Sequence, residues 1–333
     1  MQATITDAQA SAFWIAKPGH GELRTEPLPD RGPGHVLIET LYTGISRGTE
    51  ALVFTGRVPA SQRATMRCPF QTGEFPGPVK YGYCSVGRVT EGPTELLDRN
   101  VFCLHPHQDR YVVPADAVTL LPDKLPLARA VLAANMETAL NGVWDAAVRP
   151  GDRVCVIGLG VVGLLVAWLA SRIPGTDVLA LDINPAKRAV AEALGLSFAE
   201  TPPMGDEFDV VVHASGHPDG LVSALGLAGF EASIVDLSWY GSTPVAVPLG
   251  EAFHSRRLTI RSSQVGSVAT AQRGRWSYGR RMAKALELLA DPVLDILIDG
   301  ESRFADLPAT MAALADGRVT ALCHRVRFPA AEG

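Results

Sequence analysis

Six residues near the middle of the chain, Gly158-Leu159-Gly160-Val161-Val162-Gly163, have the types and spacing to hold a diphosphate. Each of the three glycines has its own part: Gly158 permits a tight turn, Gly160 lets the backbone approach a pyrophosphate, and Gly163 lets a helix pack closely on a strand. The helix N-terminus then turns free N–H groups and the positive end of its dipole toward the phosphates. Asp182 stands 19 residues beyond Gly163, where a dinucleotide motif places a ribose-binding acid. A carboxylate there accepts hydrogen bonds from a ribose diol and repels a 2′-phosphate, so NAD is favoured over NADP. Asp182 also reads as a helix cap before Asn184-Pro185, a role that Asn184 serves better.

Such a motif has force only on the right elements. Arg149-Pro150-Gly151-Asp152 is a turn, and Arg153 to Ile157 is a short apolar run that reads as a buried parallel strand. Leu164 to Ser171 is helix-compatible and ends before Pro174-Gly175; Asp177 to Leu181 reads as the next strand. The alternation continues with a helix at Ala186 to Leu194 and a strand at Phe208 to His213. A helix follows at Leu221 to Ala228, then strands at Ala232 to Leu237 and Leu258 to Ser262. Repeated β–α units predict an α/β fold with a doubly wound parallel sheet. Ligands sit outside the carboxyl ends of such strands, so His213-Ala214-Ser215-Gly216 and Ser262 to Gly266 edge the cleft. His213 reads equally well as a strand-end histidine satisfied by the backbone.

Before about residue 125 the chain is rich in Gly and Pro, with extended runs at Val36 to Thr40 and Tyr111 to Val113, which predicts an irregular β domain. A helix from Leu127 to Asp145 leads out of it. Helices at Gly279 to Leu289 and Leu307 to Ala315 and a strand at Ala321 to Phe328 close the chain. The formal charge of −5 gives no support to nucleic-acid binding, and the cluster Arg273, Arg275, Arg280 and Arg281 reads as a solvated helix face. No apolar run is long enough for a membrane span. Five scattered cysteines without a CxxC pair suggest neither a disulfide framework nor a structural zinc lobe, and a reduced, cytoplasmic setting fits.

Several further segments carry a resemblance. Gly34 to Ile38, Thr43-Gly44-Ile45-Ser46-Arg47-Gly48-Thr49-Glu50, Gly82 to Val89, Arg149 to Asp152 and Gly158 to Gly163 together resemble the medium-chain dehydrogenase/reductase superfamily. Gly44 to Glu50, Phe54 to Pro59 and Tyr81 to Val89 look most like its bacteriochlorophyllide dehydrogenase branch, which oxidises a hydroxyethyl group on a chlorin ring; Gln71 to Lys80 departs from that pattern. The resemblance implies a GroES-like β-barrel catalytic domain at residues 1–125 and 267–333. A Rossmann dinucleotide-binding domain would fill 126–266, with the active site in the cleft between them. It also makes a homodimer possible, dimers being the superfamily's habit.

Zinc-dependent members place a Cys and a His-Glu pair where this chain has Ser46 or Arg47, then Tyr83 and Cys84. Ser, Arg and Tyr are poor zinc ligands, and the cysteine-rich loop of many relatives has no counterpart, so no metal is expected. The alternative is a substitute site from Cys84, His105, His107 and Glu137. Without zinc, hydrogen-bond donors or a base must handle the alkoxide proton. Thr49 matches the superfamily's hydroxyl relay. Tyr83 replaces a ligand His, so its phenol would donate to a substrate oxygen; a packed barrel aromatic is the other reading. Glu137, in Asn135-Met136-Glu137-Thr138, is a base, an orienting carboxylate or simply solvent-facing. Arg47 would neutralise the pyrophosphate. Cofactor contacts are expected from Arg47, Thr138, Leu159, Val161, Val162, Asp182, Ile183, Lys187, His213, Ala214, Ser215 and Val265, besides the three glycines. The expected activity is hydride transfer between NAD(H) and a secondary alcohol or ketone, a small-molecule substrate. The alternatives are an enoyl or quinone reductase and a non-catalytic NAD-binding sensor.

Overall fold

The structure, a computed structural model, describes residues 9–205 and 207–331. The chain divides into two compact units, one running to Ala134 and resuming at Ile298, the other Asn135–Leu297.

The second unit is built on six parallel strands. Across the sheet they run Ser197–Ala199, Asp177–Leu181, Arg153–Ile157, Phe208–His213, Ala228–Asp236 and Thr259–Ser262. In chain order that is 3-2-1-4-5-6, the doubly wound arrangement whose direction reverses beside Arg153–Ile157. The central strands are apolar and buried on both faces, because helices cover both sides. The helix Val161–Ala170 is almost wholly apolar and buried. Hairpin turns are excluded by the parallel register, so each strand is reached through a crossover, and the sequence alternation follows from that.

The first unit is antiparallel. A seven-stranded sheet centres on the long strand His35–Ile45, which pairs with Ser85–Glu91, Arg110–Pro114 and Cys323–Arg327. Val36, Ile38, Val89, Val101, Cys103, Tyr111 and Val113 fill its interior. A smaller sheet holds the hairpin Gln9–Lys17 and His20–Pro27 with Thr72–Gly73 and Val79–Lys80. The strand Ile298–Arg303 has no apolar run (its side chains alternate partly buried and exposed) and is held by parallel pairing with Cys323–Arg327. That is why sequence patterning passes over it.

The compact units divide at 134/135 and 297/298, whereas the resemblance implies domain bounds at 125/126 and 266/267. One tie holds the segment after residue 267 to the second unit. The helix Tyr278–Leu288 carries Arg281, only 2% exposed. Its guanidinium donates to Glu137 Oε1 at 3.0 Å, Asn141 Oδ1 at 2.6 Å and the Val265 carbonyl at 2.6 Å. This corrects the solvated reading of the basic cluster: Arg273, Arg275 and Arg280 are exposed, whereas Arg281 is a buried tie within the nucleotide unit. Glu137 is likewise not solvent-facing. Burial pushes its carboxyl above the ordinary value, against the pull of Arg281.

Removing one partner of a buried ion pair typically costs ~3–5 kcal/mol. Arg281→Met is expected to lose that order of stability at pH 8. A carboxyl whose folded pKa is raised binds its proton more tightly when folded, so its destabilising effect is full above the folded pKa and shrinks as pH falls toward the unfolded value. Urea denaturation at pH 8 and pH 5 therefore shows a smaller loss at pH 5; equal losses contradict the assignment.

Candidate functional site

In the second unit the three glycines meet three different constraints. Gly158 has φ +94°, and a Cβ there would lie 2.4 Å from Ser215 N and Cα. A Cβ on Gly163 would lie 1.9 Å from the Gly158 carbonyl oxygen, because the helix packs directly on the turn. A Cβ on Gly160, the residue before the helix, would meet nothing within 4 Å. The first and third positions are filled by protein, and the second opens outward, as a pyrophosphate cradle requires.

Asp182 ends its strand beside this turn. Its carboxylate accepts from Leu159 N at 2.7 Å and Asn184 N at 2.9 Å, so it ties the glycine turn to the next strand end. Each carboxylate oxygen retains acceptor capacity, enough for a ribose hydroxyl. The cap role falls to Asn184, whose side chain accepts from Ala186 N at 3.0 Å. Ile183 is 89% exposed next to the acid, and Lys187 closes the short turn Pro185–Lys187.

The ends of the central strands carry a polar network that sequence reasoning only touched. His213 is fully buried. Its Nδ1 lies 3.0 Å from Asp236 Oδ1 and its Nε2 2.6 Å from Ser215 Oγ. The Tyr240 hydroxyl donates to Asp236 Oδ2 at 2.8 Å, and Ser238 N donates to Asp236 Oδ1 at 2.9 Å. Burial by itself would raise the Asp236 carboxyl; the hydrogen bonds from His213, Ser238 and Tyr240 outweigh it and hold the carboxyl below its ordinary value. His213 is thus satisfied by side chains, not by the backbone. Ala214 N bonds the Ile157 carbonyl at 2.8 Å, which locks the two strand ends together. Thr138 lies on the helix Ala133–Ala146 and Val265 in the loop after the last strand. Asp236 closes an apolar run with Tyr240 four residues on, a faint signal without the fold.

In the first unit the structure brings Ser46, Thr49 and Tyr83 together, with the Ser46 and Thr49 side chains close enough to the Tyr83 phenol to offset part of the upward push on its pKa. Ser46 precedes the helix Arg47–Phe54, which presents Thr49 and Glu50, while Arg47 is exposed at its start. Burial, followed by the nearby Glu50 and Cys84, pushes the Tyr83 phenol well above its ordinary value. It therefore stays protonated and acts as a donor. Tyr83 also packs edge-on against Tyr81. Behind it, Glu50 and His107 are both buried. Glu50 accepts from Ser46 N at 2.7 Å and meets His107 Nε2 at 2.8 Å, and His107 Nδ1 meets Thr43 Oγ1 at 2.7 Å.

These residues do not suit zinc. Both Glu50 oxygens are engaged, Tyr83 is a neutral phenol, and burial and Glu50 push the Cys84 thiol up, away from the thiolate that binds metal. Each residue of the alternative set, His105, His107 and Glu137 besides Cys84, has its own surroundings within its unit. Glu137 belongs to the other unit and pairs with Arg281, His105 stacks on Tyr111 with ring centroids 3.6 Å apart, and His107 faces Glu50. Among the described residues no group of three or more His, Cys, Asp or Glu is placed to hold a metal ion. Among the described residues no helix is long and apolar enough to cross a membrane.

No family model matches the chain. The chain is 30% identical over 192 residues to D-guloside 3-dehydrogenase of Escherichia coli, a match covering 54% of this chain and 55% of the relative, so only about half of that relative's length is spanned. A zinc-type alcohol dehydrogenase-like protein of Haemophilus influenzae is 24% identical over 347 residues, covering 92% of this chain and 95% of the relative. The 2-desacetyl-2-hydroxyethyl bacteriochlorophyllide A dehydrogenase of Rhodobacter capsulatus is 28% identical over 247 residues, covering 68% and 72%. Among solved structures, a Sinorhizobium meliloti dehydrogenase described as zinc-binding and bound to NADP superposes with a TM-score of 0.75 at 18% identity, covering 96% of this chain and 99% of the other. An E. coli alcohol dehydrogenase in complex with NADH gives 0.77 at 16%, with the same coverage.

The chain has the two-part fold of the medium-chain dehydrogenases/reductases and is distantly similar in sequence to several of them. Its antiparallel first unit is the GroES-like part and its six-stranded second unit the Rossmann part. The matches are spread over several activities and favour no one branch.

The glycine geometry separates fold from ligand binding. Gly163→Ala is expected to destabilise the chain by at least ~2 kcal/mol, as overpacking does. Gly160→Ala should leave the melting temperature unchanged while weakening NADH binding roughly tenfold, about 1.4 kcal/mol. Thermal melts and calorimetric titration check both; a tolerated Gly163→Ala contradicts the packing.

Proposed function

We propose that this protein is an NAD-dependent dehydrogenase or reductase acting on a secondary alcohol/ketone pair without zinc. The observation that carries the reading is Tyr83: a protonated phenol beside Thr49 and Ser46, at the position where the resemblance places a zinc ligand. It accompanies a nucleotide unit whose glycine turn is open only at Gly160.

A bound nicotinamide supplies the hydride donor or acceptor. Asp182 supports NAD over NADP, because a strand-end carboxylate repels a 2′-phosphate; the superposed structures hold one cofactor of each kind. For a ketone, Tyr83 donates a hydrogen bond to the carbonyl oxygen. As the carbon gains hydride the oxygen gains the Tyr83 proton, and the phenolate is reprotonated from solvent water, the Thr49 and Ser46 hydroxyls each passing one proton on and regaining one. The oxidation runs the same transfers in reverse. Glu50 opposes loss of the Tyr83 proton, which keeps a donor in place. Glu137 is assigned an orienting role, since Arg281 holds its carboxylate. The bacteriochlorophyllide-type substrate stays within this reading as one secondary alcohol among several.

Turnover of a panel of secondary alcohols and ketones with NAD(H) tests the proposal. Tyr83→Phe is expected to lower kcat by roughly 10²–10³-fold, the usual range for a lost acid–base group, with the NADH Kd unchanged. Dialysis against EDTA should leave activity intact. Activity lost on chelation and restored by zinc would overturn the zinc-free part; reduction of an enone without alcohol oxidation would favour the enoyl reductase reading.

A further inference from the structure

The first unit contains a cavity of about 420 Å³ that none of the candidate catalytic side chains lines; its walls include Glu26, Phe70, Thr72, Lys80, His105 and Gln108. That volume falls in the range of small-molecule pockets. Three polar side chains in its wall are almost fully buried: Gln108 is 4% exposed, His105 5% and Lys80 6%. Burying three such groups is costly unless each is bonded. Lys80 Nζ donates to Glu26 and to Gln108 Oε1, the latter at 2.7 Å, and Gln108 Nε2 donates to the Arg110 carbonyl. His105 is bonded at one ring nitrogen only. Its Nδ1 sits 2.9 Å from the Pro106 carbonyl oxygen. A carbonyl only accepts, so Nδ1 carries the proton and Nε2 a bare lone pair. Among the described residues Nε2 has no hydrogen-bond partner, while the ring is clamped between Tyr111 and Phe70. Burial, with Lys80 and His107 adding to it, drops the imidazole to about 3, so the acceptor persists at any working pH.

The charge of the lining is balanced, because Lys80 and Glu26 neutralise each other. A third Lys80 proton, the Thr72 hydroxyl and lone pairs on Glu26 remain for a ligand, and Phe70 offers an aromatic wall that is 39% exposed. We propose that this cavity is a binding site for a neutral polyhydroxylated molecule, a sugar or alditol, with a ligand hydroxyl donating to His105 Nε2 and others bonding Lys80, Glu26 and Thr72. Hydroxyls both donate and accept, which matches a wall of mixed donors and acceptors without net charge. An anion or an ammonium would bring a net charge that the already neutralised Lys80–Glu26 pair leaves unmatched. The site is separate from the Thr49–Tyr83 cluster, and the inference does not rest on the proposed activity.

Saturation-transfer NMR and calorimetry on the full chain test this, with sorbitol and methyl β-glucoside as probes against gluconate and glucosamine as charged controls. Either neutral probe is expected to bind saturably in the millimolar range, at least tenfold tighter than both controls. His105→Phe keeps the stacked ring but removes the acceptor, and Phe70→Ala changes only the rim; each should weaken the neutral probe at least fivefold, while Tyr83→Phe and Thr49→Val leave it unchanged. Phe70→Ala serves if His105→Phe does not fold. No saturable binding of either neutral probe, tighter binding of a charged control, indifference to the cavity variants, or loss in Tyr83→Phe would overturn the proposal.

Discussion

The nucleotide unit depends on one close approach. The helix Val161–Ala170 rests so tightly on the preceding turn that a Cβ at Gly163 would overlap the Gly158 carbonyl. That contact sets where the helix N-terminus lies, and hence where its free N–H groups point. It brings Leu159 N within reach of Asp182, so the carboxylate that would meet a ribose also braces the loop that would meet the phosphates. The Ala214–Ile157 hydrogen bond joins the next strand to the same turn, and Ser215 packs on Gly158.

Buried polarity is handled in closed sets. Arg281 spends its donors on Glu137, Asn141 and Val265. Glu50 is shared between Ser46 and His107, and His107 is closed off by Thr43. Asp236 gathers His213, Ser238 and Tyr240. A half-satisfied polar network in a low dielectric is worse than an apolar core, so each set fixes its members' orientations. The chemical consequence is largest at Glu50. Its oxygens are filled by Ser46 N and His107, and its charge adds to burial in keeping the Tyr83 proton on.

Much of this was legible in the chain itself. The glycine spacing, the strand-end Asp182 and the β–α alternation are local or periodic signals, and local sterics and side-chain periodicity act without knowing the rest of the fold. Element identity in the nucleotide unit followed from them, with shifts of a few residues at the ends. Strands without an apolar pattern, Ile298–Arg303 and Ser197–Ala199, were invisible because their partners, not their residues, make them strands.

The sequence by itself pointed to a dinucleotide cradle with an acid at Asp182 and, through the resemblance, to Ser46 or Arg47, Tyr83 and Cys84 at the places of the zinc ligands. Only the tertiary structure decided which polar groups are shared. Arg281 and Glu137 lie 144 residues apart, and Glu50 and His107 lie 57 apart. Whether a charge is solvated or paired depends on what packs against it, and no spacing rule carries that information. The same holds for His105: the sequence offers a conspicuous histidine, and the fold turns it from a metal candidate into a stacked ring with one nitrogen left open.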